Sequence, residues 1–221
     1  MTKPLRKTIE IISECLPKKT RVLEIGSRQE KNQRRMANLR DFFQANEYIG
    51  VDMRPGPGVD RVINGEKLPF KKESFDVVLC LETFEHAEKP WEIAEEIERV
   101  VKKSGVIIVS SQQNFPIHMH PSDYFRFTPY GLASLFKKLK TRLLIGISAG
   151  FGNETKLNPE TVILVGWQKK TKLNKKIKKE LKKRQTEISG HKPYRHRLAD
   201  GWKWMKRGLW EVNYEKKLEF F

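Results

Sequence analysis

Apolar positions in this chain follow two rhythms in turn, one with the period of a helix and one running continuously as in a buried strand. Leu5, Ile9, Ile12 and Leu16 recur at helical spacing and predict an amphipathic helix over 4–16 that stops at Pro17. Arg21 to Ile25 reads as a buried strand that runs out through Gly26. Residues 30–45 are polar with Met36, Leu39 and Phe43 on one face, which predicts a second helix. Tyr48-Ile49-Gly50-Val51-Asp52 is a second strand ending on an acid. The two prolines and two glycines of 54–58 then impose a loop, and Val62-Ile63 is a short third strand.

Phe75 to Leu81 is a continuous apolar run, the pattern of a strand covered on both faces. Pro90 opens a helix with Ile93, Ile97 and Val100 inward, closed by Ser104-Gly105, and Val106 to Val109 is the next strand. Thr128-Pro129 caps a helix carrying Leu132, Leu135, Phe136 and Leu139, before two last strands, Leu143–Ile147 and Thr161–Trp167. Strands alternating with helices imply right-handed crossovers. The expected fold class is α/β, a Rossmann-like, doubly wound, mainly parallel seven-stranded sheet with helices on both faces. Such sheets bind ligands at the carboxyl ends of their strands. That places Gly26, Asp52, Asn64, Glu82 and Ser111 along one rim.

Charge divides the chain. The net charge is +17, yet residues 169–221 hold 18 Lys/Arg against 6 Asp/Glu, a net +12, and leave only +5 for residues 1–168. The expected organisation is therefore a body over 1–168 and a basic, helical, aromatic-rich extension over 169–221. Leu173, Ile177 and Leu181 make a thin apolar stripe among lysines, and Trp202, Trp204, Met205, Leu209 and Trp210 mix with Lys203, Lys206 and Arg207. Three uses suit this tail: packing on its own body or a twin subunit, an anionic membrane surface, or single-stranded nucleic acid. Cys15 and Cys80 form neither a disulfide framework nor a metal spacing. With no secretory signal and no apolar run of membrane-spanning length, a cytoplasmic protein, peripheral at the membrane if the tail binds lipid, is expected.

Gly26 lets a bulky ligand approach the backbone where the first strand ends, and Asp52 closes the second strand where a carboxylate can take both hydroxyls of a ribose. Each alone is equally a turn glycine and an acid at a strand end. Four blocks in order add weight: Val22-Leu23-Glu24-Ile25-Gly26; Tyr48 to Asp52; Leu68-Pro69-Phe70 through Ser74-Phe75-Asp76-Val77-Val78 to Glu85-His86; and Arg99-Val100 to Gly105. Over about residues 20–140 the chain resembles the class I S-adenosylmethionine-dependent methyltransferases, in particular the small type 11 branch.

The resemblance implies S-adenosyl-L-methionine as cofactor. It places Glu24 and Gly26, with Ser27, at the methionine part, Asp52 at the ribose, Met53 and Asn64-Gly65 at the adenine, and Glu82 to Phe84 facing the methyl group. The chain departs from the pattern where further glycines would follow Gly26 and Arg28 and Glu30 stand instead. Arg28 then either meets the cofactor's carboxylate or is a solvated arginine.

Methyl transfer to a hydroxyl or amine must remove a proton, which suits histidine near neutral pH. His86, His118 and His120 fall in loops on the rim side, and Tyr124 and Arg126 belong to a segment that resembles the acceptor wall of enzymes linked with sugar and cell-envelope synthesis. His86 is equally a loop residue bonding backbone, and Asp123 and Arg126 pair to hold the loop in the plainer reading. The His118-x-His120 pair has no third ligand at a telling spacing, so no metal is expected. The expected acceptor is an oxygen or nitrogen of a small molecule or glycan, lipid-linked in one version. A nucleic-acid acceptor is the alternative, against which the body's mild charge and the lack of an Asn/Asp-Pro-Pro-Tyr/Phe element count. A further rival is a non-catalytic protein that keeps the fold.

Overall fold

The computed structural model describes residues 1–18, 20–30, 34–119, 121–147 and 159–189, together with the backbone of 209–212. Helix α1 (Lys3–Cys15) starts at Thr2, whose side chain accepts the Leu5 N–H at 3.3 Å, and ends before Pro17. Strand β1 (Thr20–Ile25) pairs in parallel with β2 (Ala45–Asp52) on one side and β4 (Phe75–Leu81) on the other. Beyond β2 lies the two-residue β3 (Arg61–Val62), and beyond β4 lies β5 (Val101–Gln112), both parallel to their neighbours. The sheet continues antiparallel through β7 (Thr161–Trp167) and β6 (Thr141–Ile147). Its order is β3-β2-β1-β4-β5-β7-β6-β8, the last strand (Leu209–Val212) coming from the basic tail.

Both faces are covered, which is why the strands read as continuous apolar runs. Val78, Cys80, Ile107 and Val109 point to the face held by α3 (Pro90–Val100) and α4 (Pro129–Ser134), through Ile93, Ile97 and Leu132. Val77, Leu79, Val106 and Ile108 point to the other, where Leu5, Ile9 and Ile12 of α1 pack. The start of the tail joins that second layer as α5 (Leu173–Lys183) and α6 (Gln185–Ser189), with Ile177, Leu181 and Ile188 buried. The predicted tail stripe thus packs on the body's own α1 layer. The Trp202–Arg207 cluster lies outside the described residues.

Four expectations change. The seven expected strands are joined by an eighth, so the extension is not helical throughout. The helix expected over 30–45 shrinks to α2 (Arg34–Ala37) and a 3₁₀ turn at Arg40–Phe42. Asn38 ends it by accepting the Arg40 N–H on its own side chain at 3.1 Å, and Arg6 takes the Met36 and Asn38 carbonyls. Ser104-Gly105 does not separate α3 from a strand, because β5 begins at Val101. The pairing steps from Phe75↔Val101 to Val77↔Val106, so the residues between bulge out. Finally, α4 stops at Ser134, leaving Phe136 and Leu139 buried in the segment after it.

Candidate functional site

The carboxyl ends of β1, β2 and β4 border a cavity of about 750 Å³. Gly26, Arg28, Asp52, Met53, Asn64, Gly65, Glu82, His86 and Tyr124 are among its walls; Glu24, Ser27, His118 and Arg126 are not. His120 lies outside the described residues.

Gly26 occupies the left-handed region at φ +75°, and a Cβ there would fall 2.2 Å from Thr83 Oγ1. Its N–H still reaches the Val51 carbonyl at 2.9 Å, so the chain turns out of the sheet at once. Across the gap, Asp52 Oδ1 accepts the Arg54 N–H at 2.9 Å and Oδ2 faces the Arg28 N–H at 3.4 Å, which aims the carboxylate at the cavity it lines. Arg28 pairs with Glu30 through one terminal nitrogen, while its buried Nε has no partner. Asn64 turns back on its own chain, its Oδ1 accepting the Glu66 N–H at 2.9 Å. Glu82 also has a positive φ, +50°, costly for a side-chain-bearing residue. Ser110 Oγ (2.9 Å) and Gln112 Nε2 (3.2 Å) hold its carboxylate in place.

Glu24 points to the opposite face of the sheet. Two residues after Val22, it shares that strand's orientation toward the α1 layer and accepts the Tyr48 hydroxyl at 2.7 Å. Burial raises its pKa to about 7, against the opposing pull of the Tyr48 hydrogen bond and of Arg40. Ser27 is buried with its Oγ unpartnered.

The histidine loops meet at one corner. The His86 and His118 rings stand 4.8 Å apart and nearly perpendicular. His86 Nδ1 lies 2.5 Å from the Ser122 carbonyl, and His118 Nδ1 lies 3.2 Å from Asp123 Oδ2. Asp123 is held ionised by a two-pronged pair with Arg126 (2.6 and 2.7 Å), which pushes its pKa far below the carboxylate range. Arg126 also donates to the Phe115 and Pro116 carbonyls, so it stitches this loop together instead of facing the cavity. Tyr124 does line the cavity, with its hydroxyl donating to Glu88 at 3.0 Å.

Glu85, quoted in the sequence only as the neighbour of His86, is fully buried. Its Oε2 accepts the Ser111 hydroxyl at 2.6 Å and its Oε1 has no partner. Burial and the nearby Glu82 carboxylate raise its pKa to about 8. The signal that could have found it was an acid inside the loop that follows a buried strand. Thr83, which sets the glycine requirement at position 26, had no such signal.

Sheet order, the glycine turn and the acid-tipped second strand decide the fold class. This is a Rossmann-like α/β fold of the kind seen in solved methyltransferase structures. Residues 23–109 match the methyltransferase domain family. An uncharacterized methyltransferase of Mycobacterium tuberculosis is 32% identical over 75 residues, 28% of this chain and 30% of that protein. An uncharacterized protein of Methanocaldococcus jannaschii is 46% identical over 48 residues, 22% of this chain and 23% of that one. The matches thus span less than a third of these relatives' length. Among solved structures, a SAM-dependent methyltransferase of Thermotoga maritima superposes with a TM-score of 0.53 at 19% identity, over 73% of this chain and 89% of that one. A methyltransferase in complex with the Trm112 activator of Haloferax volcanii gives 0.52 at 18%, over 74% and 89%.

Proposed function

We propose that this chain is an S-adenosylmethionine-dependent methyltransferase acting on an oxygen or nitrogen of a small molecule or glycan. The observation that carries this reading is that Gly26 at the end of β1 and Asp52 at the end of β2 open on one cavity, which His86 and Tyr124 also line. At about 750 Å³ the space suits a nucleoside cofactor together with a small acceptor. The residues present fit the cofactor. Asp52 takes the ribose hydroxyls, Met53 and Asn64-Gly65 flank the base, and the unpartnered Arg28 Nε is a donor for the carboxylate of the methionine end. The bound cofactor supplies an electrophilic methyl group on a sulfonium.

The chain's own work is alignment and proton removal. Glu82 and Thr83 border the transfer path, Tyr124 shapes the acceptor's place, and the acceptor's proton leaves toward the His86 corner. Residues 169–221 form an extension whose first helices dock on α1, and among glycan acceptors a lipid-linked one, with its phosphate and an anionic membrane surface, gives the lysines an anionic partner. Among the described residues no helix is long and apolar enough to cross a membrane.

Calorimetry with S-adenosylmethionine and its demethylated product tests the reading. Wild type binds both, and Asp52→Ala loses at least tenfold in affinity, about 1.4 kcal/mol or more. Absence of binding heat in wild type defeats it in favour of a non-catalytic protein that keeps the fold. Salt-sensitive RNA binding that reversal of the exposed Lys175, Lys179 and Lys183 to Glu abolishes moves the acceptor to nucleic acid.

A further inference from the structure

We propose that Glu85, His86 and His118 form a binding site for one divalent first-row transition-metal ion at the wall of this cavity. Among the described residues, one ligand atom from each comes within 4.8 Å of the other two. A cation with bonds of about 2.1 Å sets its ligand atoms roughly 3.0–3.4 Å apart, so the widest pair must draw in by up to about 1.4–1.8 Å. His118 sits in a half-exposed loop position that allows such a movement.

The hydrogen bonds around the group leave the coordinating atoms free. The Ser122 carbonyl can only accept, so His86 Nδ1 carries the proton and Nε2 keeps its lone pair. His118 Nδ1 faces the ionised Asp123 and the Pro116 carbonyl (3.3 Å), both acceptors, and so its Nε2 is free as well. A carboxylate or a backbone carbonyl behind an imidazole is the usual arrangement behind a metal-bound histidine, fixing both tautomer and ring orientation. The third ligand carries an independent sign. Glu85 is fully buried and Ser111 orients one of its oxygens, while Oε1 has no partner in a place where an unpaired carboxylate oxygen is costly.

Two imidazoles and one carboxylate favour zinc, manganese, iron or cobalt over calcium or magnesium, and three protein ligands leave positions open. His86 lines the cavity, so an open position can take an acceptor oxygen and ease loss of its proton. That role rests on the methyltransferase reading. The ligand set does not.

The test uses the full chain stripped with a chelator and titrated with Zn²⁺, Mn²⁺ and Co²⁺ by calorimetry, with Co²⁺ visible absorption as a second readout. The expected result is one ion per chain, with affinity reduced at least tenfold in His118→Ala and in His86→Ala, and at least tenfold in Glu85→Gln where that buried variant folds. Asp52→Ala keeps the metal while losing cofactor, and His118→Ala keeps cofactor binding while losing metal. The two readings therefore fail separately. No metal uptake by stripped wild type, or uptake that His118→Ala leaves unchanged, overturns the site.

Discussion

Position 26 shows how one residue type is imposed from two directions. Its backbone sits at φ +75°, and its missing Cβ is replaced by the Thr83 hydroxyl 2.2 Å away. Gly26→Ala is expected to cost about 1–3 kcal/mol and to weaken nucleoside binding, because the turn would have to swing out of the cavity. Thr83→Ala on top of it should recover the steric part and not the backbone part. Thermal melts of the single and double variants check this, and a single variant as stable as wild type contradicts it. At Glu24 the same scale gives a different lesson. Sequence order puts its carboxylate two residues before the glycine, yet strand alternation turns it to the α1 face and Tyr48 holds it there. Glu85 is the converse, an acid in the loop after a buried strand that the fold buries near two imidazoles.

At the scale of elements, α5 shows that a lysine-rich helix can be integral to the core. Ile177 and Leu181 are fully or nearly fully buried against α1, and Lys176 reaches the Cys15 carbonyl at 3.3 Å while Arg184 pairs with Glu14. The surface pairs add little by themselves. The apolar stripe is the part that matters, so Ile177→Ala should lower unfolding free energy by about 2–5 kcal/mol, whereas Lys179→Ala on the exposed face should change it by less than about 0.5 kcal/mol. Urea midpoints for the two variants decide it, and equal effects would mean that α5 does not pack in solution. The loop from Gln113 to Phe127 is the other informative element. Its described residues have no regular structure, and Arg126 gives it shape by tying Asp123 to the Phe115 and Pro116 carbonyls.

For the molecule as a whole, the buried Glu24 makes stability depend on pH in a defined direction. Its pKa rises from 4.5 to about 7 on folding. Between those values the folded chain holds a proton that the unfolded chain has released. The Glu24 share of the unfolding free energy therefore falls as pH rises from about 4.5 to about 7 and is gone above it, alongside a share of the same sign from Glu85, whose pKa rises to about 8. The expected swing is on the order of 3 kcal/mol, and Glu24→Gln, which keeps an acceptor for Tyr48, should remove it. Denaturant titrations of both proteins at pH 5 and pH 8 give the difference, and parallel pH profiles would refute it.

The order of strands and helices, the double-sided core and the rim that carries Gly26 and Asp52 were determined by the sequence alone. Local periodicity and chain-ending residues encode them, and neither depends on distant contacts. Helix ends between residues 30 and 45 were not legible, because Arg6, far away in the chain, captures the carbonyls that a longer helix would have used. The beginning of β5 was likewise settled by its pairing with β4. Tertiary structure alone decided which acids face the cavity, which arginine is structural, and that Glu85, His86 and His118 meet. Each of those outcomes depends on the direction of a side chain across a gap of many residues, which no spacing along the chain records.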